Sequence, residues 1–591
     1  MNETKRETRI KWIKRGILLA SVLAALKCIF VSLQMDEEYA ITVPYRILQG
    51  DRLFAELWDP HQTSAFFIEF LLWIYHGIFH TYTYSVIFIR TIGVLTHALV
   101  TYLFWGGLRK FVGKDQAFYL AMLYFNLLPK GYVMPEFSNM MLWFLTLLLL
   151  TATHRIELET RLNHYAPALT RNAIAIGVLL SLMVLSYPTC VLGYIVIVAY
   201  LIRYDRYKLK SVLTVTVTCI VIGGLYLWRI LSYLTIPQFI ENIKSILESC
   251  GSHSDSKWEK LYIFSTDLPF MLLYFVLFGA LCFVLIWLER LLCRKKNKEI
   301  PALTFAYVLN HYLVSAYIIQ ILHWVLMLWQ YESSYFYCIY CVIFGATVYC
   351  MHHWRVAGIG YPSESKVLIQ IGNLWIWSNV AMYVAILLLT NLTLMTSIKY
   401  LSAGVVACLA ILLNYMVQAD ARSYKRYANH LLILMVVASI FVKGYAYIDN
   451  DGLMKNITGV RNIIDEGPAK GIFTEYMQGY MVESNYQEFK ELIPAGSTLL
   501  AMDSNTLCYM YQDVKVGSFT TICTPSYGPY FKDYWERYPE HYPDVIAIPC
   551  WYGEMKYTDD NWMVHYANTE FHPSAIVDGK YFRYYFRNKA E

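Results

Sequence analysis

The chain has 591 residues, 57% of them hydrophobic, 16% aromatic and only 16% charged. A chain this long and this apolar cannot bury its greasy side chains as a soluble globular protein, so it reads as a polytopic α-helical membrane protein. Its formal charge of +5 is spread over short basic loops and implies no nucleic-acid partner.

A spanning helix needs about 20 mainly apolar residues. Such runs predict about thirteen spans, near 12–34, 84–108, 115–132, 136–154, 171–187, 188–204, 211–230, 268–293, 302–328, 335–353, 367–390, 397–417 and 431–448. The division of 171–204 rests on Tyr187-Pro188. The first run follows basic residues but is long and lacks a small-residue cleavage pattern before Asp36, which predicts a retained anchor.

Residues 35–83 form a predicted outer loop that opens with MDEEYAITVPYRILQGDRLFAELWDPHQ (35–62). Tyr39, Val43 and Ile47 recur every fourth residue opposite Thr42, Arg46 and Gln49, the pattern of a short amphipathic helix lying in the membrane interface, Pro44 permitting. The stretch 64–79 is apolar but short for a span and carries Glu69, so it is expected to be interfacial or re-entrant. Gly50-Asp51 and Asp59-Pro60 supply turns.

Basic residues fall in alternate gaps between the runs: at the start, at Arg109-Lys110, from Arg203 to Lys210, at Arg294 to Lys296, and from Arg422 to Arg426. Cytoplasmic loops retain Lys and Arg, so this pattern predicts a cytoplasmic amino terminus in the plasma membrane and an outer carboxyl end. The membrane body is expected over 1–448 and an extracytoplasmic α/β domain over 449–591. In that domain 497–504 and 544–550 read as buried strands, 581–587 as a strand with one wet face, and 476–492 as a helix ending at Pro494.

The chemistry concentrates in the first outer loop, where Asp36, Glu37, Glu38, Asp51, Glu56 and Asp59 crowd together. Acids outside a membrane are tolerated and can simply complete the charge asymmetry. Adjacent carboxylates also raise one another's pKa, however, which is what a general base or a cation site uses. His352 and His353 have no acid or cysteine at metal spacing, so no metal site is predicted there. Most of the aromatic residues fit interfacial belts.

In order, the loop holds Asp36, Glu37 and Tyr39, then Gly50-Asp51, then Trp58-Asp59-Pro60-His61-Gln62. This order resembles the first outer loop of the GT-C superfamily of membrane glycosyltransferases, in the branch of the protein O-mannosyltransferases and the lipid A aminoarabinose transferase (glycosyltransferase family 39/83-like). The resemblance implies the GT-C fold, a sugar donor on a polyprenyl phosphate, and an acid of this loop acting on the acceptor. Two positions depart from it. The aminoarabinose branch has Lys-Pro-Pro where this chain has Asp59-Pro60-His61-Gln62, and Glu136 and Asn139 stand where the family often has an aspartate.

The expected function is therefore transfer of a sugar from a polyprenyl-phosphate donor to an extracytoplasmic lipid, glycan or protein acceptor, with inversion. Asp36 is expected to be the base, and Glu37 to position the acceptor or share the proton. Tyr39, Asp59, His61 and Gln62 are expected to contact substrate, Arg90 and Lys130 to stabilise the departing phosphate, and Glu136 to stand in for the second acid. Glu38 is read as a solvated bystander. No cofactor is required, although the acids would allow a divalent cation. The alternative is a lipid or polysaccharide flippase or transporter without catalysis, whose charges would be expected near mid-membrane. A further class, an envelope-polymer ligase or polymerase, would be expected to carry its large loop later in the chain.

Overall fold

Backbone in lipid must satisfy its own N–H and C=O groups, so apolar runs become helices. The computed structural model describes residues 3–127, 131–162, 164–252, 257–326, 338–356, 363–390, 392–419, 424–448, 454–503 and 505–587. The chain begins with α1 (Glu3–Phe30), turns through α2 (Met35–Leu48) and α3 (Phe66–Phe79), and continues with α4 (Ser85–Leu108), α5 (Lys114–Asn126), α6 (Phe137–Arg161) and α7 (Pro167–Ser186). There follow α8 (Leu192–Tyr204), α9 (Lys208–Leu231), α10 (Ile236–Ser252), α11 (Lys257–Lys295), α12 (Phe305–Leu326) and α13 (Ile339–Val356). The body closes with α14 (Ser363–Leu389), α15 (Leu394–Ile398), α16 (Ser402–Ala419) and α17 (Tyr424–Tyr445).

Among the described residues, eight helical stretches are long and apolar enough to cross a membrane, against the thirteen expected. These are α4, α6, α7, α9, α11, α12, α14 and the continuous 394–416, with 188–204 and 429–445 as shorter apolar helices. The first half of α1 is studded with Lys and Arg, and the 13 residues of α5 rise only about 20 Å. At the Tyr187-Pro188 break, α7 stops at Ser186 and a 3-10 turn over Pro188–Val191 leads into α8. Proline has no N–H to continue the ladder and biases the preceding residue away from helix.

The outer loop departs from the interfacial setting expected for it. Nine of the fourteen residues of α2 are buried, from Glu37 to Tyr39 and from Ile41 to Arg46. On one side Tyr39 and Val43 pack into the membrane-body core with Leu57, Ala65, Phe137 and Tyr187. On another Ile41 and Tyr45 pack with Leu507 and Tyr511 of the C-terminal region. Pro44 lies inside the helix without ending it. The segment with a free apolar face is α3, where Phe70, Trp73, Ile78 and Phe79 are more than half exposed.

After α17 come two short pairs, β1 (Ala446–Ile448) with β2 (Met454–Asn456) and β3 (Asn462–Ile463) with β4 (Phe473–Thr474), and then α18 (Tyr476–Leu492). The main sheet uses β5 (Thr498–Ala501), β6 (Lys515–Val516), β7 (Val545–Trp551), β8 (Glu554–Met555), β9 (Ala575–Asp578) and β10 (Phe582–Phe586). Its order is β6-β5-β7-β10-β9, with β8 on the end of β7. The β5 pairings are parallel, and those of β7 with β10 and of β10 with β9 are antiparallel. Successive side chains point to opposite faces. Leu499, Val545, Phe582 and Tyr584 therefore meet Phe489 of α18 on one face, while Leu500, Ile546 and Tyr585 meet α19 (Gly528–Arg537) and α20 (Trp562–Thr569) on the other. Because β10 sits inside the sheet with helices over both faces, the wet face expected for 581–587 is only partial: Arg583 and Arg587 are part-exposed, whereas Tyr585 between them is buried, as are Phe582 and Tyr584.

Candidate functional site

Arg46, wholly buried, organises the turn that follows α2. Its Nε donates to the Asp51 carboxylate, and one terminal nitrogen donates to Glu56 O at 2.9 Å and to the Tyr534 hydroxyl at 2.8 Å. Arg52 pairs with Glu56 alongside. This closes 46–56 on itself and delivers Trp58 into the C-terminal domain, where its ring meets Phe519 at 5.5 Å and Tyr534 edge-on at 5.2 Å. The Trp58 backbone N–H donates to Phe519 O at 3.0 Å, and the Thr520 hydroxyl donates to Asp59 Oδ1.

The other end of the turn rests on the membrane body. The His61 ring stacks on Phe137, the first residue of α6, with centroids 4.0 Å apart and planes within 5°, and it lies 5.2 Å from Tyr187. Gln62 Oε1 accepts from the backbone N–H of Phe54 at 2.7 Å, and the Thr63 hydroxyl donates to Leu185 O at 2.7 Å. Residues 58–63 thus bridge the C-terminal domain and the α6–α7 ends of the body. The segment under His61 is itself held close to α4, since a Cβ on Gly93 would collide with Val133 O and Met134 Cα.

The three consecutive acids have three different surroundings. Glu37 is fully buried and takes a two-pronged pair from Arg90, whose remaining donors go to Ile29 O, Val31 O and Ser32 O. Both residues were expected to act on substrate, Arg90 on the departing phosphate and Glu37 in positioning the acceptor or sharing its proton; in this structure they hold each other, and Arg90 also holds the end of α1. Glu38, expected to be solvated, is buried against the C-terminal domain and accepts from Leu507 N–H at 3.4 Å. Burial pushes its carboxyl up to about 8, with the Leu507 N–H opposing and the adjacent Glu37 charge adding to the shift. Asp36 alone of the three is half-buried.

Asp36 and Tyr39 are three residues apart in α2 and share a face. Tyr39 is next to Asp59: burial raises Asp59 to about 6, while the Thr520 hydroxyl, the Arg46 charge and the Tyr39 hydroxyl each pull it back. Asp59 Oδ2 and Gln62 Nε2 are both buried with no hydrogen-bond partner among the described residues. An acceptor and a donor left unsatisfied within one turn are costly unless a ligand or water meets them.

Two predicted residues remain. Glu136, expected to replace a catalytic aspartate, caps α6: it accepts from Ser138 N at 2.9 Å, Asn139 N at 2.7 Å and the Ser138 hydroxyl. Four N–H groups at a helix start lack partners, and the carboxylate at the cap position satisfies two of them and suits the helix dipole. Lys130 lies outside the described residues. Among the described residues, no three His, Cys, Asp or Glu side chains group to hold a metal ion. Cys508, Cys523 and Cys550 carry free thiols. Arg46, one of the loop cations open to a phosphate role from the sequence, and Thr520, which was not expected there, frame the site. Arg46 had its place on the polar face of α2 as a signal, whereas Thr520, 461 residues from its partner Asp59, had none.

No family model matches the chain, and no curated protein matches it. Among solved structures it is similar to the archaeal oligosaccharyltransferase AglB from Archaeoglobus fulgidus in complex with an inhibitory peptide and a dolichol-phosphate, at 12% identity and a TM-score of 0.41 over 91% of this chain and 70% of that one. It is also similar to the Archaeoglobus fulgidus oligosaccharyltransferase tethered to an acceptor peptide (10%, TM-score 0.42, 90% and 69%) and to its apo form (14%, TM-score 0.42, 90% and 69%). The likeness is loose at these values.

Proposed function

We propose that this chain is a GT-C-type membrane glycosyltransferase that moves a sugar from a polyprenyl-phosphate donor to an acceptor hydroxyl on the outer side of the membrane. The observation that carries this reading is the sorting of the three acids. Glu37 is bound to Arg90, Glu38 is sealed against residue 507, and Asp36 is half-buried on the same helical face as Tyr39. Beside Tyr39 lies the turn that presents the unsatisfied Asp59 Oδ2 and Gln62 Nε2.

In the proposed reaction Asp36 takes the proton of the acceptor hydroxyl as its oxygen attacks the anomeric carbon. The bond from that carbon to the phosphate oxygen breaks, and the phosphate leaves with the electron pair. Asp59 and Gln62 offer an acceptor and a donor for sugar hydroxyls, and His61, fixed by stacking, lines the same turn. Lys130 is proposed as the cation for the leaving phosphate. With one displacement and no covalent residue, the product has the opposite anomeric configuration to the donor. Incubating the purified protein with a panel of polyprenyl-phosphate sugars and an envelope extract, and reading the product's anomeric centre by NMR, tests this. An inverted product is expected. A retained configuration rules out the single displacement, and absence of transfer together with lipid movement in vesicles favours a flippase.

A further inference from the structure

At the other end of α2, about 20 Å from Asp36 at the helical rise, the outer loop and the C-terminal domain part to leave an open cleft of about 640 Å³. This volume is ordinary for a small-ligand site, and such sites favour seams between domains. One wall comes from α3 and the turn after it, with Trp73 and a stacked pair of rings, His76 and Tyr82, whose centroids are 4.8 Å apart. The facing wall comes from the C-terminal domain, with Tyr486, Lys490, Gln512 and Asp513. Asp513 lines the cleft together with Tyr45 and Tyr82.

The lining selects a chemical class. An isoprenoid would need an unbroken apolar wall, and here ring faces are interspersed with two amides, a carboxylate, an ammonium and two imidazoles. A polyanion would need cations without acids, and here Lys490 is balanced by Asp513. A pyranose chain presents apolar C–H faces to rings and equatorial hydroxyls to planar polar groups, and the cleft offers both. Its position adds to this: Phe70, Ile78 and Phe79 on the same helix are more than half exposed, which places α3 at the lipid headgroup level.

We propose that this cleft binds a saccharide chain presented at the membrane surface, the sugar portion of the acceptor. Its role as acceptor rests on the proposed transfer reaction, whereas saccharide binding does not. Gly77 lines the cleft, and a Cβ there meets nothing within 4 Å, so the side chain of Gly77→Trp starts in open space and is expected to occupy the cleft. Asp513→Ala changes an exposed side chain and leaves the fold alone.

The test uses the full chain in phospholipid nanodiscs and saturation-transfer NMR of chitotriose, maltotriose and laminaritriose, with sucrose octasulfate and inorganic phosphate as anionic controls. At least one neutral trisaccharide is expected to bind, with affinity falling at least about tenfold in both variants. The proposal is overturned if no trisaccharide binds, if both variants bind like the wild type, or if only the anions bind. Trisaccharide binding in a protein that transfers no sugar would count against the reaction and leave the cleft's ligand in place.

Discussion

A carboxyl group sealed from water keeps its proton to higher pH, and Glu38 is such a group. Its folded value of about 8 lies above the ordinary 4.5, so between those limits the folded chain binds a proton that the unfolded chain has released. Stability therefore falls as pH rises through about 4.5 to 8 and is highest below that window. Glu38→Gln keeps the shape and removes the titration. It is expected to flatten the dependence of the thermal midpoint on pH and to be more stable than the wild type at pH 8 by about 1–3 kcal/mol. A wild-type midpoint that does not change between pH 5 and pH 8 would contradict this environment for Glu38. Sequence alone hid it because three consecutive acids look alike until the helix turns them toward different neighbours, about 100° apart.

At the scale of elements, the Glu37–Arg90 pair ties α2 to α4 and, through the carbonyls of residues 29, 31 and 32, to the end of α1. Removing one member strands a buried charge. Arg90→Met is therefore expected to destabilise the protein by about 3–5 kcal/mol, with much of the loss recovered in the Glu37→Met/Arg90→Met double variant. If Arg90 instead served a donor phosphate, Arg90→Met would abolish transfer while leaving the thermal midpoint in place. Element types were largely readable from the sequence. The helix expected over 476–492 spans Tyr476–Leu492, and the strands expected near 497–504 and 544–550 became β5 and β7. What covers an element was not readable. The periodicity of α2 announced apolar sides but not that two protein layers would flank them, and Phe582, Tyr584 and Tyr585 gave no sign that strands and helices would enclose β10.

At the scale of the molecule, the candidate site draws on segments hundreds of residues apart: the first turn of α2, the 58–62 turn, the Phe137 end of α6, the Tyr187 break and the 519–521 loop. The loop 35–62 packs against both membrane body and C-terminal domain, with Arg46 and Trp58 buried. The acid motif itself was legible because acids are scarce in an apolar chain. Its sorting into one half-buried acid and two structural ones required the remote partners Arg90 and Leu507.

The account stands or falls on Asp36. The direct measurement is the initial rate of sugar transfer from the best polyprenyl-phosphate donor by Asp36→Asn and by Glu38→Gln, each checked for an intact fold by its thermal midpoint. The expected result is a loss of at least about 10²-fold for Asp36→Asn, in the range that a lost general base produces, with transfer retained by Glu38→Gln. Transfer by Asp36→Asn at the wild-type rate would contradict the assignment of the base.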